Sequence, residues 1–253
     1  MLLEIEGLTK YFGGLAAVVQ FDMVVHEREI VGLIGPNGAG KTTIFNLVTG
    51  VLQPTKGKLT FDGDDITGQK SHAIADRGIG RTFQLNPLFA DFTVLENVVA
   101  SFHLRPKSSW FDAYFNTATY RRNEAYISEQ SLEILHLVGL DEVKDELAKN
   151  LPHGYQKMLG LARALAVKPK LLLLDEPLGG MNPEEIEFTM TAIRKTQQQG
   201  VSIVLVEHNM RIMELCDRVI VINFGHKIAE GTPEEVRENK EVIQAYFGGE
   251  HVA

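Results

Sequence analysis

The chain has 253 residues, and its hydrophobic content of 44% is ordinary for a globular protein with a sizeable core. Its formal net charge of −8 argues against a nucleic-acid partner, because phosphate backbones are bound by clustered Lys and Arg. The single cysteine, Cys216, excludes an internal disulfide and is expected in the core. No apolar run approaches the roughly 20 residues that span a bilayer.

The amino-terminal part predicts a small antiparallel β layer. Apolar and polar residues alternate over residues 2–6 and 16–25, and residues 57–61 predict a third strand that ends in a turn. Between them, residues 29–34 form an apolar stretch that predicts a buried strand, and residues 43–48 predict the start of a helix.

A glycine-rich segment joins that buried strand to that helix, and it fits the phosphate-loop pattern at every fixed position. Its glycines allow successive backbone N–H groups to point at an anion, and the helix N-terminus adds partial positive charge. Lys41 is expected to reach the β and γ phosphates of a nucleoside triphosphate, and the Thr42 hydroxyl to bind Mg²⁺. The alternative is a glycine-rich turn that happens to precede a helix. The expected nucleotide contacts are Gly35, Pro36, Asn37, Gly38, Ala39, Gly40, Lys41, Thr42 and Thr43.

The rest of the chain predicts a helical insertion followed by alternating strands and helices. Helical periodicity runs from about residue 94 to 150. The alternation after it favours an α/β fold with a mostly parallel sheet covered by helices. Strands are expected at 171–174, 201–206 and 219–222, and helices at about 155–167, from 183, and at about 209–215.

The predicted strand at 171–174 ends in two carboxylates, Asp175 and Glu176. A buried parallel strand delivers its last residues to the edge of the sheet where ligands of such folds bind. Asp175 is therefore expected to hold Mg²⁺ through water, and Glu176 to orient and deprotonate an attacking water. Acidic residues also end many strands without any catalytic role, which is the alternative.

Further short motifs lie at 81–84, 151–156 leading into 161–165, 180–183 and 206–208. They occur in the order and spacing of an ABC-type ATPase, which the chain resembles over essentially its whole length. Three features resemble the ATP-binding subunits of branched-chain amino acid (Liv-type) importers, and the longer LivG-type subunit most of all. They are residues 80–84 followed by 93–97, the long insertion around 105–125, and the ending from 235 to 248.

The resemblance implies a phosphate-loop NTPase core with a small antiparallel β layer and a helical insertion subdomain. The whole of 1–253 would be a single ABC ATPase domain, with the nucleotide-binding core at 1–90 and 155–225. Residues 91–154 would form the helical subdomain that ends in the signature motif, and 226–253 a hairpin and helix.

The resemblance also implies roles that the residues alone do not. Gln84 would touch Mg²⁺ and the attacking water and would sense a membrane partner, and His208 would contact the γ-phosphate. Phe12 would stack on the adenine ring, with Tyr11 as the fallback. A solvated glutamine, a structural histidine and an ordinary core ring are the respective alternatives.

The signature motif departs from the family's Leu-Ser-Gly-Gly-Gln, because this chain has Leu151-Pro152-His153-Gly154-Tyr155. In the family this segment opens a helix that faces the γ-phosphate of the ATP bound to the opposite subunit. Gly154 keeps the close approach, but Pro152 supplies neither a serine hydroxyl nor an N–H. Either His153 or Tyr155 supplies a substitute donor, or the site is weakened.

By this resemblance the chain is an ATP-binding and ATP-hydrolysing subunit that energises an importer, for branched-chain or other amino acids, at the cytoplasmic face of the inner membrane. Its expected cofactors are ATP and Mg²⁺. Its expected partners are integral-membrane permease subunits, a second ABC ATPase subunit and, indirectly, a periplasmic solute-binding protein. A heterodimer is favoured because a partner with a regular signature would complement this chain, although a homodimer is possible.

Two alternatives stay open, namely a soluble ABC-type ATPase that is not coupled to transport and a nucleotide-gated switch with weak hydrolysis. The unusually apolar segment from Leu85 to Leu104 is expected to be core in most of its length. Part of it, with Phe89 and Phe92, would form the groove that receives a cytoplasmic permease helix.

Overall fold

The computed structural model describes residues 1–82, 88–103, 114–207 and 210–247, and the side chains of 210 and 247 are outside that description. The predicted roles of Gln84 and His208 therefore fall outside the described residues. The chain forms two compact units. The first comprises Met1–Arg81, Lys170–Gly179 and Gln197–Ala253, and the second comprises Thr82–Pro169 and Gly180–Thr196.

The described strands all belong to the first unit. They are β1 (Leu3–Phe12), β2 (Leu15–Val25), β3 (Ile30–Ile34), β4 (Lys56–Phe61), β5 (Asp64–Asp65), β6 (Ile79–Arg81), β7 (Leu171–Asp175), β8 (Ser202–Glu207), β9 (Arg218–Asn223) and β10 (His226–Gly231).

Helices occur in both units. The first unit contains α1 (Lys41–Val48), α2 (Ser71–Asp76), α7 (Pro233–Glu238) and α8 (Lys240–Phe247), and the second contains α3 (Val94–Phe102), α4 (Ala118–Leu137), α5 (His153–Ala166) and most of α6 (Pro183–Gln198). Within the described ranges, no helix is both long enough and apolar enough to cross a bilayer.

The amino-terminal strands form the expected antiparallel layer, in the order β2-β1-β4-β5. Phe21, Met23 and Val25 of β2 are buried, while Asp22 between them is exposed, so the period-two pattern directs one face to the core. At Gly57 the backbone adopts φ +97°, and a Cβ there would lie 2.6 Å from the Cα of Leu8. Only glycine fits this close approach of β4 to β1.

The larger sheet has six strands in the order β10-β9-β3-β8-β7-β6. All of its pairings are parallel except the β9–β10 hairpin, which confirms the predicted α/β class with a mostly parallel sheet. Every residue of β3, β7 and β8 is buried, as expected for strands covered on both faces. Cys216 is buried against this sheet, and its Sγ would lie 2.8 Å from a Cβ at Gly32.

The register of the parallel strands brings their carboxyl ends to one edge. Ile34 of β3 is opposite Glu207 of β8, and Val206 of β8 is opposite Asp175 of β7. The phosphate loop leaves β3 at this same edge and enters α1. The sheet therefore assembles the predicted nucleotide residues from three distant parts of the chain.

In the second unit, helix α3 begins with a capping box that the sequence spells out as Thr93-Val94-Leu95-Glu96. The Thr93 Oγ1 accepts from the Glu96 N–H at 3.1 Å, and the Thr93 N–H donates to Glu96 Oε2 at 2.7 Å. One residue later, Asn97 is fully buried. Its Oδ1 accepts from the Phe89 N–H at 2.9 Å, and its Nδ2 donates to the carbonyls of Phe89 at 3.0 Å and Thr93 at 2.9 Å. Asn97 thus holds the turn that presents Phe89 and Phe92.

We expect Asn97→Ala to lower the free energy of unfolding by about 2–3 kcal/mol, because buried backbone groups of the turn would lose their partners. Chemical denaturation followed by circular dichroism measures this loss. Asn123→Ala, a half-buried position on α4, is the matched control and should change stability little. Equal stability of Asn97→Ala and the wild type would contradict the structural role given to the buried amide.

Candidate functional site

Two glycines shape the backbone of the phosphate loop. Gly35 is buried, and a Cβ there would lie 2.1 Å from the carbonyl oxygen of Ile222 on β9. Gly40 immediately precedes α1 with φ +109°, and a Cβ there would lie 2.6 Å from the carbonyl oxygen of Ala17. The loop is therefore pressed against the surrounding strands at both of its ends, and only glycine allows that contact.

The Lys41 side chain is buried beneath the loop. Its Nζ donates to the carbonyl oxygens of Gly35 at 2.7 Å and Pro36 at 2.9 Å. Burial lowers the pKa of Lys41, whereas the carboxylates of Glu176, Asp175 and Glu207 oppose that shift. The loop carbonyls and the neighbouring carboxylates thus hold the ammonium group beneath the loop and favour its charged form.

Several of the remaining predicted contacts lie on the open side of the loop, whereas Ala39 is buried in the core. Asn37, Gly38 and Thr42 are exposed, and Thr43 is half-buried at the start of α1. Because the first N–H groups of a helix have no partner within the helix, this end of α1 can hold an anion.

Asp175 lies at the end of β7 and is only 7% exposed. Its Oδ2 accepts from Nη2 of Arg81 at 2.9 Å, and the Arg81 side chain is 6% exposed. Arg81 belongs to the motif at 81–84, but the sequence alone indicates no role for it. Arg81 ends one strand and Asp175 ends another, which is compatible with an ion pair. The pair could not be predicted without knowing that β6 lies beside β7.

Glu176 adopts φ +48°, which is uncommon for a residue with a side chain. Its N–H donates to the carbonyl oxygen of Val206 at 2.9 Å, so the turn out of β7 stays attached to β8. A left-handed conformation of this kind costs of order 1–3 kcal/mol and is often found at functional sites. The turn directs the chain away from the sheet just after the two carboxylates.

Glu207, at the end of β8, is fully buried, and its Oε1 accepts from the Leu178 N–H at 2.7 Å. The family resemblance implies a role for the neighbouring His208 and none for Glu207. This hydrogen bond joins the end of β8 to the segment after Glu176. Glu207 therefore helps to fix the backbone that follows the two carboxylates.

The two candidate adenine-stacking rings lie at the end of β1. Phe12 is 46% exposed and Tyr11 43% exposed, and Lys10 Nζ lies 5.3 Å from the Phe12 ring centroid. Both rings are accessible to a flat ligand, and stacking on Phe12 stays a prediction.

The signature residues belong to the second unit. Pro152 is the N-cap of α5, and His153 and Gly154 form its first turn. Pro152 and His153 are exposed, Tyr155 is half-buried, and a Cβ at Gly154 would lie 2.5 Å from Glu185 Oε1. A carboxylate therefore lies directly against the first turn of α5. Pro152, Gly154 and Tyr155 line a cleft of about 450 Å³ together with Glu185, Phe188 and other residues of α6.

The carboxyl-terminal helix reaches the base of the phosphate loop. The Tyr246 hydroxyl is buried beside the Gly35 backbone. It makes no hydrogen bond within the described part of the chain. Burial raises the pKa of Tyr246 to about 12, although the Gly35 backbone opposes the shift. Helix α8 is thus part of the support of the loop.

Two family models match the sequence. One, described as ABC transporter, matches residues 18–179, and the other, described as branched-chain amino acid ATP-binding cassette transporter, matches residues 226–252.

Among curated relatives, the chain is 41% identical over 249 residues to a high-affinity branched-chain amino acid transport ATP-binding protein, BraF, of Pseudomonas aeruginosa. It is 39% identical over the same length to the LivG protein of that description in Escherichia coli. In both cases the alignment covers 98% of each chain.

Solved structures agree with this likeness. A nucleotide-free ATP-binding cassette from an ABC transporter superposes with a TM-score of 0.84 at 29% identity, covering 98% of this chain and 99% of the other. The ADP conformation of an ATP-binding cassette of an ABC transporter gives 0.85 at 30% identity and covers 98% of each chain.

We expect Gly40→Ala to weaken triphosphate binding by at least about tenfold, because a left-handed alanine is strained and its Cβ would collide with a backbone carbonyl. Gly63→Ala is the matched control, since Gly63 also has positive φ, at +83°, but no atom lies within 4 Å of its Cβ position. Equilibrium binding of ATP to both variants measures the difference. Equal affinities would show that the close approach at Gly40 does not shape the loop.

Proposed function

Since the chain belongs to the ABC transporter family of ATP-binding cassettes, we propose that it energises an importer of branched-chain or related amino acids. ATP binding and hydrolysis are the activity of the family. The observation that carries the choice of cargo is identity of 39–41% along 98% of the chain to relatives named for branched-chain amino acid transport. The function requires the chain at the cytoplasmic face of the membrane, beside permease subunits and a solute-binding protein.

The phosphate loop, with Gly35, Pro36, Asn37, Gly38, Ala39, Gly40, Lys41, Thr42 and Thr43, would bind the ATP phosphates. The Lys41 Nζ already lies against the loop carbonyls, so it can turn towards the β and γ phosphates over a short distance. The exposed N-terminus of α1 would add N–H donors. Phe12 would stack on the adenine ring.

Oxygen donors at this site fit Mg²⁺. The Thr42 hydroxyl is exposed at the start of α1, and the Asp175 carboxylate ends the strand beside β8. Mg²⁺ is usually held by one or two protein oxygens together with substrate phosphates, and it neutralises charge on those phosphates. Thr42 and Asp175 would hold the ion here, with Gln84 as a third predicted ligand.

Glu176 would orient and deprotonate the water that attacks the γ-phosphate. Its backbone is tied to β8, and its position directly after Asp175 puts two carboxylates with different tasks at one strand end. His208 and Gln84, which lie outside the described residues, would contact the γ-phosphate and the attacking water respectively.

The altered signature supports a pair of unlike cassettes. Pro152 has no hydroxyl or N–H to offer, and the Glu185 carboxylate beside Gly154 disfavours a phosphate there by charge repulsion. His153 or Tyr155 would have to supply the missing donor. A partner with a regular signature would complete the ATP site on this chain's phosphate loop, and that site would hydrolyse faster than the other.

We expect Glu176→Gln in this subunit alone to reduce transport-coupled ATPase activity by about a hundredfold or more, since a general base contributes on that scale. The assay uses the reconstituted transporter with its solute-binding protein. Glu129→Gln, an exposed position on α4, should leave the rate unchanged. Full activity of the Glu176→Gln complex would overturn the proposed division of labour.

An aromatic pair supports the proposed contact with the permease. Phe89 and Phe92 are 46% and 45% exposed, and their ring centroids are 5.2 Å apart. The Arg163 guanidinium lies 4.9 Å from the Phe89 centroid, so the pair has an apolar face with a cationic edge. Such a face suits an amphipathic cytoplasmic helix.

We expect Phe92→Glu to release the chain from the membrane complex without loss of ATP binding, because a charge would have to be buried in an apolar contact. Co-purification with tagged permease and ATP affinity of the free chain are the two measurements. Phe224→Glu, at an 82% exposed position in the β9–β10 turn, is the control. Undiminished co-purification of Phe92→Glu would place the permease contact elsewhere.

The importer has two alternatives, an uncoupled ATPase and a nucleotide switch, and ATPase assays with loaded binding proteins distinguish among the three. Stimulation of the ATPase by a binding protein loaded with leucine would support the importer. ATPase activity that is unchanged by every loaded binding protein would instead favour an uncoupled ATPase. Tight ATP binding without hydrolysis would favour a nucleotide switch.

A further inference from the structure

We propose that Arg81 is a positioning residue that fixes the Asp175 carboxylate relative to the helix after the phosphate loop. The proposal deepens the function above and rests on the proposed role of Asp175 at Mg²⁺. Arg81 itself would touch neither the metal nor the nucleotide.

The strand register brings Arg81 to Asp175. Strand β6 runs parallel to β7, with Arg81 opposite Leu173, so Asp175 lies two residues farther along the neighbouring strand. The 2.9 Å contact between Arg81 Nη2 and Asp175 Oδ2 is almost completely shielded from solvent, with side-chain exposures of 6% and 7%. Solvent screening is therefore weak at this pair.

The other terminal nitrogen of the guanidinium, Nη1, bonds to α1. Arg81 Nη1 donates to Asn46 Oδ1 at 2.7 Å and lies 3.2 Å from Thr49 Oγ1. The Arg81 guanidinium carbon is also 5.6 Å from the ring centroid of Phe45 on the same helix. One planar group thus joins the end of β6, the carboxylate of β7 and the helix that carries the loop at its N-terminus. Lysine, with a single nitrogen, does not reproduce this fork.

Stability alone is a poor explanation for this arrangement. A buried ion pair is weak support for a fold, because desolvation of both ions offsets much of their attraction. The ion pair of Arg77 and Asp64 in the same unit lies at the surface, where Asp64 is 67% exposed, and therefore differs from the buried pair of Arg81 and Asp175. Arg81 instead bonds to one carboxylate that also interacts electrostatically with Lys41. Fixing the direction of that carboxylate is the effect that the geometry favours.

The test separates binding of ATP alone from the additional affinity that Mg²⁺ provides. Dissociation constants of ATP are measured for the purified chain with Mg²⁺ and with a chelator, and their ratio is the Mg²⁺ increment. We expect Arg81→Met to reduce that increment about tenfold, the effect of one charge-assisted hydrogen bond, while affinity in the chelator is unchanged. Arg81→Lys should fall between the wild type and Arg81→Met, and the control Arg77→Met should match the wild type.

A double variant identifies the residue through which Arg81 acts. Asp175→Asn should itself reduce the increment, and adding Arg81→Met should reduce it no further. A folded Arg81→Met chain with the wild-type increment, or an undiminished Arg81→Met effect in the Asp175→Asn background, would overturn the proposal. If circular dichroism shows that Arg81→Met does not fold, the Mg²⁺ increment of Arg81→Lys is used instead, and a wild-type value would again overturn the proposal. A wild-type chain without any Mg²⁺ increment would instead refute the proposed Mg²⁺ site.

Discussion

Charged side chains buried at the carboxyl edge of the larger sheet have to compensate one another, because an uncompensated buried ion costs several kcal/mol. Arg81 and Asp175 form a direct ion pair, Lys41 is held by loop carbonyls and neighbouring carboxylates, and Glu207 accepts a backbone N–H. Each compensation also fixes a piece of backbone, namely the phosphate loop, the strand ends or the turn after Glu176. The shape of the site and its charge balance are therefore one property.

The fold class followed from the sequence because local patterns decide it. A strand–loop–helix around the phosphate loop and a later alternation of strands and helices leave few arrangements other than a mostly parallel sheet. Element ends were harder to predict. The expected helix at about 209–215 is a 3₁₀ helix at Met210–Leu215, since apolar spacing over six residues does not distinguish the two. Helix α5 begins at His153 because Pro152 occupies its N-cap.

The candidate site was predictable where a motif is contiguous and unpredictable where it depends on pairing between distant strands. The loop, Asp175 and Glu176 could be read directly from neighbouring residues. Arg81 and Asp175 are 94 positions apart, and their contact exists only because β6 pairs with β7. The altered signature was visible in the sequence. The position of the Glu185 carboxylate beside Gly154 could not be predicted, because it depends on contact between the first turns of two helices.

Strand β3, which delivers the phosphate loop, has as its neighbours β8 and β9, both from the last quarter of the chain. During synthesis the loop therefore leaves the ribosome well before the strands that flank it. Until residues 202–223 have emerged, the nascent chain exposes an apolar strand edge and cannot assemble a nucleotide pocket. The ATP site can therefore be completed only after β8 and β9 have been synthesised, although its most recognisable motif lies far earlier in the sequence.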